Sequence, residues 1–203
     1  LEKILSRSGD TVFGKEHGIK DINSYTDFQN QIPIRDYPAL KPYIERALKG
    51  EPNIICPGEV KWFAKSSGTT SDKSKFIPVT REYMEESHFR GGKDAVVMYY
   101  SLYPDSSMLK GKGLVIGGSH QISNFNSDSY FGDLSAVLLQ NMPTWGHIFR
   151  TPDLSIALMD EWEEKIEKMA RATMKEDVYI IAGVPSWTLV LANKVLELSG
   201  QSN

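Results

Sequence analysis

Apolar residues along this chain recur either at helical spacing or in short unbroken runs, and the two patterns alternate. Leu40, Tyr43, Ile44 and Leu48 share one helical face, behind an N-cap at Asp36 with Pro38 in the first turn and ahead of a stop at Gly50. The run Val60–Ala64 reads as a strand, and Lys75–Val79 as a second short strand that Pro78 confines to an edge or an end. Thr80 is a suitable N-cap for a helix running through Met84, Val96 and Tyr99, with a break or bend expected at Gly91-Gly92. Gly113–Gly117 and Val178–Ala182 have the composition of buried strands, and Tyr130–Leu139 predicts a helix. Trp162, Ile166, Met169 and Thr173 predict an amphipathic helix over about 158–174. Pro185 opens a last helix through Leu189, Leu196 and Leu198, closed by Gly200. Strands separated by helices of this length predict an α/β fold, sheets with flanking helices and some parallel pairing. No repeat, low-complexity tract or clear linker interrupts it.

Composition narrows the function classes. The 203 residues suffice for one sizeable core or two small ones, and the 40% hydrophobic content is that of a globular protein. A net charge of −3 supplies no global attraction to nucleic acid or to an anionic membrane. No apolar run approaches the roughly 20 residues needed to span a bilayer. Cys56 is the only cysteine, which excludes a disulfide framework and fits a reducing cytoplasm. The four histidines show no metal-ligand spacing, so no metal site of the chain's own is expected. The chain opens at Leu1 in what reads as the middle of a helix, and is expected to be a piece of something longer.

The segment with most chemistry in it is Ser66-Ser67-Gly68-Thr69-Thr70-Ser71-Asp72-Lys73-Ser74-Lys75. Six of its ten residues carry hydroxyls and two of the other four are lysines. Gly68 permits positive φ and close backbone approach. Successive N–H groups in such a turn make an anion-binding concavity, to which hydroxyls add donors and lysine adds charge. That combination suits a polyphosphate. The P-loop NTPase pattern fails on spacing: counting from Gly68, its second glycine would fall on Lys73 and its lysine on Ser74. The segment after the loop also reads as a strand where a P-loop needs a helix. Composition alone leaves a solvated hairpin turn as an equal reading.

Ser66-Ser67-Gly68-Thr69-Thr70 followed by Lys75 resembles the ATP phosphate loop of the adenylate-forming superfamily. The late lysine in Lys75-Phe76-Ile77-Pro78 is similar to one branch, the auxin-responsive acyl acid–amido synthetases of plants and their bacterial relatives. Phe13-Gly14, Ile32-Pro33-Ile34-Arg35-Asp36-Tyr37, Tyr43-Ile44-Glu45-Arg46 and Ala182-Gly183-Val184-Pro185-Ser186-Trp187 resemble the same branch. The resemblance implies a ligase that uses Mg²⁺ and ATP to turn a small carboxylic acid into an acyl-adenylate, then passes the acyl group to an amino acid. It implies phosphate contacts from Ser66, Ser67, Gly68, Thr69, Thr70 and Ser71, with charge from Lys75 as the catalytic residue. Ser71 and Asp72 stand where relatives often have glycine, and Asp72 is expected to point outward. Lys73 either offsets that charge or is simply solvated.

Weaker candidates lie elsewhere. His120 follows Gly117-Gly118-Ser119 at a strand end, a common ligand position in open α/β sheets, or makes a structural hydrogen bond. By analogy Pro185 and Trp187 line an acyl pocket; the equal alternative is that they start and anchor a helix. Arg90 would pair with the acid's carboxylate. The acidic run Asp160-Glu161 with Glu163-Glu164 reads as a solvated helix face. Residues 1–203 are expected to be an incomplete N-terminal adenylate-forming domain without the C-terminal lid, dependent on the remainder of its own chain and inactive alone. An acyl-CoA ligase of the same superfamily, or a non-catalytic nucleotide- or acid-binding module, is the alternative.

Overall fold

The computed structural model describes residues 1–66, 74–117, 123–124 and 129–201. The elements in order are α1 (Glu2–Ser8), α2 (Val12–Glu16), α3 (Tyr25–Gln31), α4 (Tyr37–Leu48), β1 (Trp62–Lys65) and β2 (Phe76–Val79). A π-helical stretch (Tyr83–Phe89) leads into α5 (Arg90–Leu102), then β3 (Lys112–Ile116), β4 (Ser123–Asn124), β5 (Tyr130–Gly132), α6 (Leu134–Gln140) and α7 (Thr144–Ile148). Last come β6 (Arg150–Thr151), α8 (Leu154–Ala157), α9 (Trp162–Thr173), β7 (Val178–Gly183) and α10 (Pro185–Ser199). The result is a mixed α/β fold in two compact units, one of residues 1–80 with 123–132, the other of 81–122 with 133–203.

The first unit holds a sheet of order β2-β1-β5-β4. β1 pairs antiparallel with β2 and parallel with β5. Phe63 is fully buried and joins Ile44, Ala47, Leu48, Ile54 and Val60 in its core. Several family-like segments build this unit. A Cβ on Gly14 would sit 1.9 Å from the Ser8 carbonyl oxygen, so only glycine lets α2 pack so closely. Its N-cap Thr11 accepts from the Gly14 amide and donates to the Ser8 carbonyl oxygen at 2.7 Å. Asp36 caps α4 by accepting from the Ala39 amide at 3.1 Å, as its position predicts. Tyr43 donates to Glu16, and Arg46 holds Glu51 through two guanidinium nitrogens, one at 2.7 Å.

The second unit carries a parallel sheet of order β6-β3-β7. Leu114 and Ile116 of β3 pack with Ile166, Met169, Ala170 and Leu191. Gly200 ends α10 in the left-handed conformation at φ 69°, where a side chain would be strained.

Several expectations are corrected. The first strand begins at Trp62, not Val60, whose side chain is buried in the core. Tyr130–Leu139 is not one helix: Tyr130–Gly132 pairs with Trp62–Ala64 as a strand, and Asp133 starts α6 by accepting from the Ser135 amide. The amphipathic pattern over 158–174 divides, because Leu158 closes α8 and α9 starts only at Trp162. Helix geometry passes unbroken through Gly91-Gly92, and the departure from it lies a turn earlier, in the π-helical stretch. The strand at 178–182 is not buried. It is the edge of its sheet among the described residues, with Tyr179 49% and Ile181 56% exposed.

Candidate phosphate-loop site

The hydroxyl-rich run joins the antiparallel strands β1 and β2, so its two ends are held as neighbours by the sheet. Beyond the last ladder pair, Lys65 with Phe76, the Ser66 amide donates to the Lys75 carbonyl oxygen at 2.9 Å. The Lys75 amide returns a bond to Ser66 Oγ at 3.0 Å. Used as an acceptor, that hydroxyl keeps its own O–H hydrogen to donate. Ser67, Gly68, Thr69, Thr70 and Ser71 lie outside the described residues, as do Asp72 and Lys73.

Lys75 is exposed, and among the described residues no carboxylate pairs with it. Its Nζ lies 5.5 Å from the centroid of the Tyr37 ring. Tyr37 OH accepts from the Phe76 amide at 2.9 Å and donates to the Phe76 carbonyl oxygen at 3.3 Å. Lys65, the last residue of β1, has its Nζ 5.8 Å from the Phe131 ring centre, and Phe131 meets Phe76 edge-on. The foot of the hairpin therefore combines a hydroxyl donor with an exposed lysine, donors of the kind a polyphosphate needs.

The other sequence candidates belong to the second unit or lie outside the described residues. His120 lies outside the described residues. Arg90 stands at the start of α5, 73% exposed, with Asp94 one turn on at 3.8 Å. Pro185 opens α10. Trp187 packs against the core of the second unit with its ring 5.3 Å from that of Trp162. Both positions follow the strand-to-helix turn at Gly183, where an added Cβ would fall 2.8 Å from Ile116 Cβ.

Sequence reading missed Lys165. It is fully buried, and its Nζ donates to the Gly117 carbonyl oxygen at 3.1 Å, just past the end of β3. Burial pushes its ammonium below the ordinary 10.5, against the pull of Asp160. The signal lay in the periodicity: Lys165 is four residues before buried Met169 and so on the inner face of α9, but the neighbouring glutamates made the segment read as solvated. Glu164 does lie on the outer face, paired with Lys168. Among the described residues no group of three His, Cys, Asp or Glu could hold a metal ion. Among them, too, no helix is long and apolar enough to cross a membrane.

Fold and site together define a mixed α/β protein with a hydroxyl-rich hairpin loop footed by Ser66 and Lys75. The chain matches the GH3 family N-terminal domain over residues 1–203 and belongs to that family. It is similar to the jasmonoyl–L-amino acid synthetase JAR4 of Nicotiana attenuata, 36% identical over 88 residues, or 43% of this chain and 15% of the relative. It is also similar to the indole-3-acetic acid-amido synthetase GH3.15 of Arabidopsis thaliana, 30% identical over 119 residues, or 57% of this chain and 19% of that one. A solved structure of the GH3.15 acyl acid amido synthetase shares the fold, with a TM-score of 0.76 and 20% identity over 97% of this chain. Another, in complex with 2,4-DB, gives a TM-score of 0.74 at 20% identity. The chain covers 35% and 34% of those two structures.

Proposed function

We propose that this chain is the N-terminal, phosphate-binding part of a cytoplasmic, ATP-dependent acyl acid–amido synthetase, completed by a later region that includes a lid. The acid's carboxylate attacks the α-phosphorus of ATP, the bond to the bridging oxygen breaks, and pyrophosphate leaves. The amine of an amino acid then attacks the acyl-adenylate, AMP departs with the bonding pair, and the ammonium proton passes to solvent. Ser66, Ser67, Gly68, Thr69, Thr70 and Ser71 hold the β- and γ-phosphates in line, while Lys75 meets the charge that grows on the leaving pyrophosphate. Magnesium, carried in with ATP, would neutralise part of that charge. His120, Arg90, Pro185 and Trp187 stay as candidates for the acid side.

The observation that carries this reading is the reciprocal Ser66–Lys75 pairing, which sets a hydroxyl and an exposed ammonium at the foot of one hairpin loop. The family assignment supports it. Lys75→Ala in the complete protein should slow ATP–pyrophosphate exchange by about a hundredfold or more while leaving thermal unfolding in place. Exchange at the wild-type rate would remove the loop from the mechanism. Residues 1–203 alone should show no exchange.

A further inference from the structure

We propose that Tyr37 is a positioning residue for Lys75, an inference that rests on the phosphate-loop reading above. Neighbouring residues of an extended strand turn their backbone groups to opposite edges. Here both sides are tied. Lys75 bonds inward to Ser66 through its amide and carbonyl, at 3.0 and 2.9 Å. Phe76 turns its amide and carbonyl outward, to the edge where β2 has no further strand among the described residues. Tyr37 OH meets both groups there, accepting at 2.9 Å and donating at 3.3 Å. A single phenol thus does the work of an absent neighbouring strand at the one residue that follows the lysine.

The same ring lies beneath the lysine itself, 5.5 Å from Nζ, within the range where a ring face attracts an ammonium. Tyr37 can act as a fixed support because its own backbone is fixed. It is the first residue of α4, directly behind the Asp36 cap, and its side chain packs against the core cluster around Ile44 and Phe63. The tyrosine is 39 residues from Phe76 in sequence, so no local propensity accounts for the contact. An exposed lysine on a hairpin samples many rotamers, and each one it abandons on binding costs affinity or rate. Tyr37 narrows that sampling from two directions, by clamping the strand under Lys75 and by attracting the ammonium to one face.

The test uses the complete protein, with ATP–pyrophosphate exchange as the readout and ATP, magnesium and a substrate acid as the probes. Tyr37→Leu should lower kcat for exchange by about tenfold or more while leaving KM for the acid unchanged. Tyr37→Phe keeps the ring and its packing, loses only the hydroxyl, and should fall between wild type and Tyr37→Leu. It also carries the test should Tyr37→Leu unfold. In a Lys75→Ala background, adding Tyr37→Leu should slow exchange no further, because a residue acting only through Lys75 has nothing left to position. A merely structural tyrosine would instead give additive losses that track the melting temperature, and that result would overturn the proposal. If Lys75→Ala slows exchange while both Tyr37 variants match wild type, this inference alone fails. Wild-type exchange by Lys75→Ala removes the phosphate reading, and this inference with it.

Discussion

In the first unit, Thr11, Asp36, Tyr43 and Arg46 use their polar atoms to join helix ends and loops, each hydrogen bond bridging 27 residues or fewer. In the second, the polar side chains that matter are sunk in the fold: Lys165 is fully buried, and Arg150 on β6 is 7% exposed. Burial holds the Arg150 guanidinium below its ordinary value, while Asp153 pulls the other way. Both sheets hold a parallel pair that needs a long crossover, β1 with β5 and β3 with β7. Among the described residues only the first adds a hairpin, β1 with β2, closed across residues 66–75. In the first unit a local pair, Ser66 with Lys75, and one distant support, Tyr37 on Phe76, together give the loop a defined foot. The second unit sinks Lys165 and Arg150 into its interior, where burial disfavours the charged form of each.

The sharpest way to break this contrast is to ask whether the polar network or the apolar core holds the first unit. Phe63→Ala should cost about 3–5 kcal/mol in urea unfolding, since the ring is fully buried among aliphatic side chains and little can collapse into the space. A loss near zero would mean that capping contacts carry the unit. Next in size, Gly14→Ala should cost about 1–3 kcal/mol, because its new Cβ cannot coexist with the Ser8 carbonyl oxygen unless backbone moves. Unchanged stability would show that the Phe13-Gly14 segment has slack.

Lys165 tests the other unit through pH. Its folded-state value lies below 10.5, so between that lowered value and 10.5 the unfolded chain binds more protons. Stability therefore rises with pH across that window. Lys165→Met should flatten the rise, read as the difference between variant and wild-type unfolding free energies at successive alkaline pH values. Parallel curves would contradict the assigned burial effect. The smallest effect belongs to Arg46→Gln. Arg46 holds Glu51 below its ordinary 4.5, so the pair's contribution is present above 4.5 and lost as pH falls through the lowered value. The variant's deficit in melting temperature should be slight, shrink in high salt and vanish in acid, because the pair is exposed.

Much of the first unit was legible in sequence because its signals are local. Asp36 with Pro38 marks a helix start, Pro78 an edge strand, and the hydroxyl-rich run a turn with donors. Segments of either unit whose partners lie far along the chain were read less well. Tyr130-Phe131 looks helical beside the apolar run that follows, yet it is a strand because Trp62 and Phe63 lie alongside it. Val178–Ala182 looks like a buried strand by composition, yet Tyr179 and Ile181 are exposed because the sheet's described edge falls there. Side-chain period cannot say which strand is central, since that depends on partners far along the chain.

The hydroxyl-rich loop and its late lysine are properties of the sequence alone, as are the α/β alternation and the family-like segments. A short motif specifies donors, charge and turn chemistry within a few residues, which is the range over which local sterics and composition act. Tertiary structure decided what surrounds those groups. It set Tyr37 against Phe76 and under Lys75, closed Ser66 onto Lys75, and buried Lys165 behind Gly117. Each of these depends on through-space contact between segments that no spacing rule relates. The motif names the chemistry, and the packing gives it a direction.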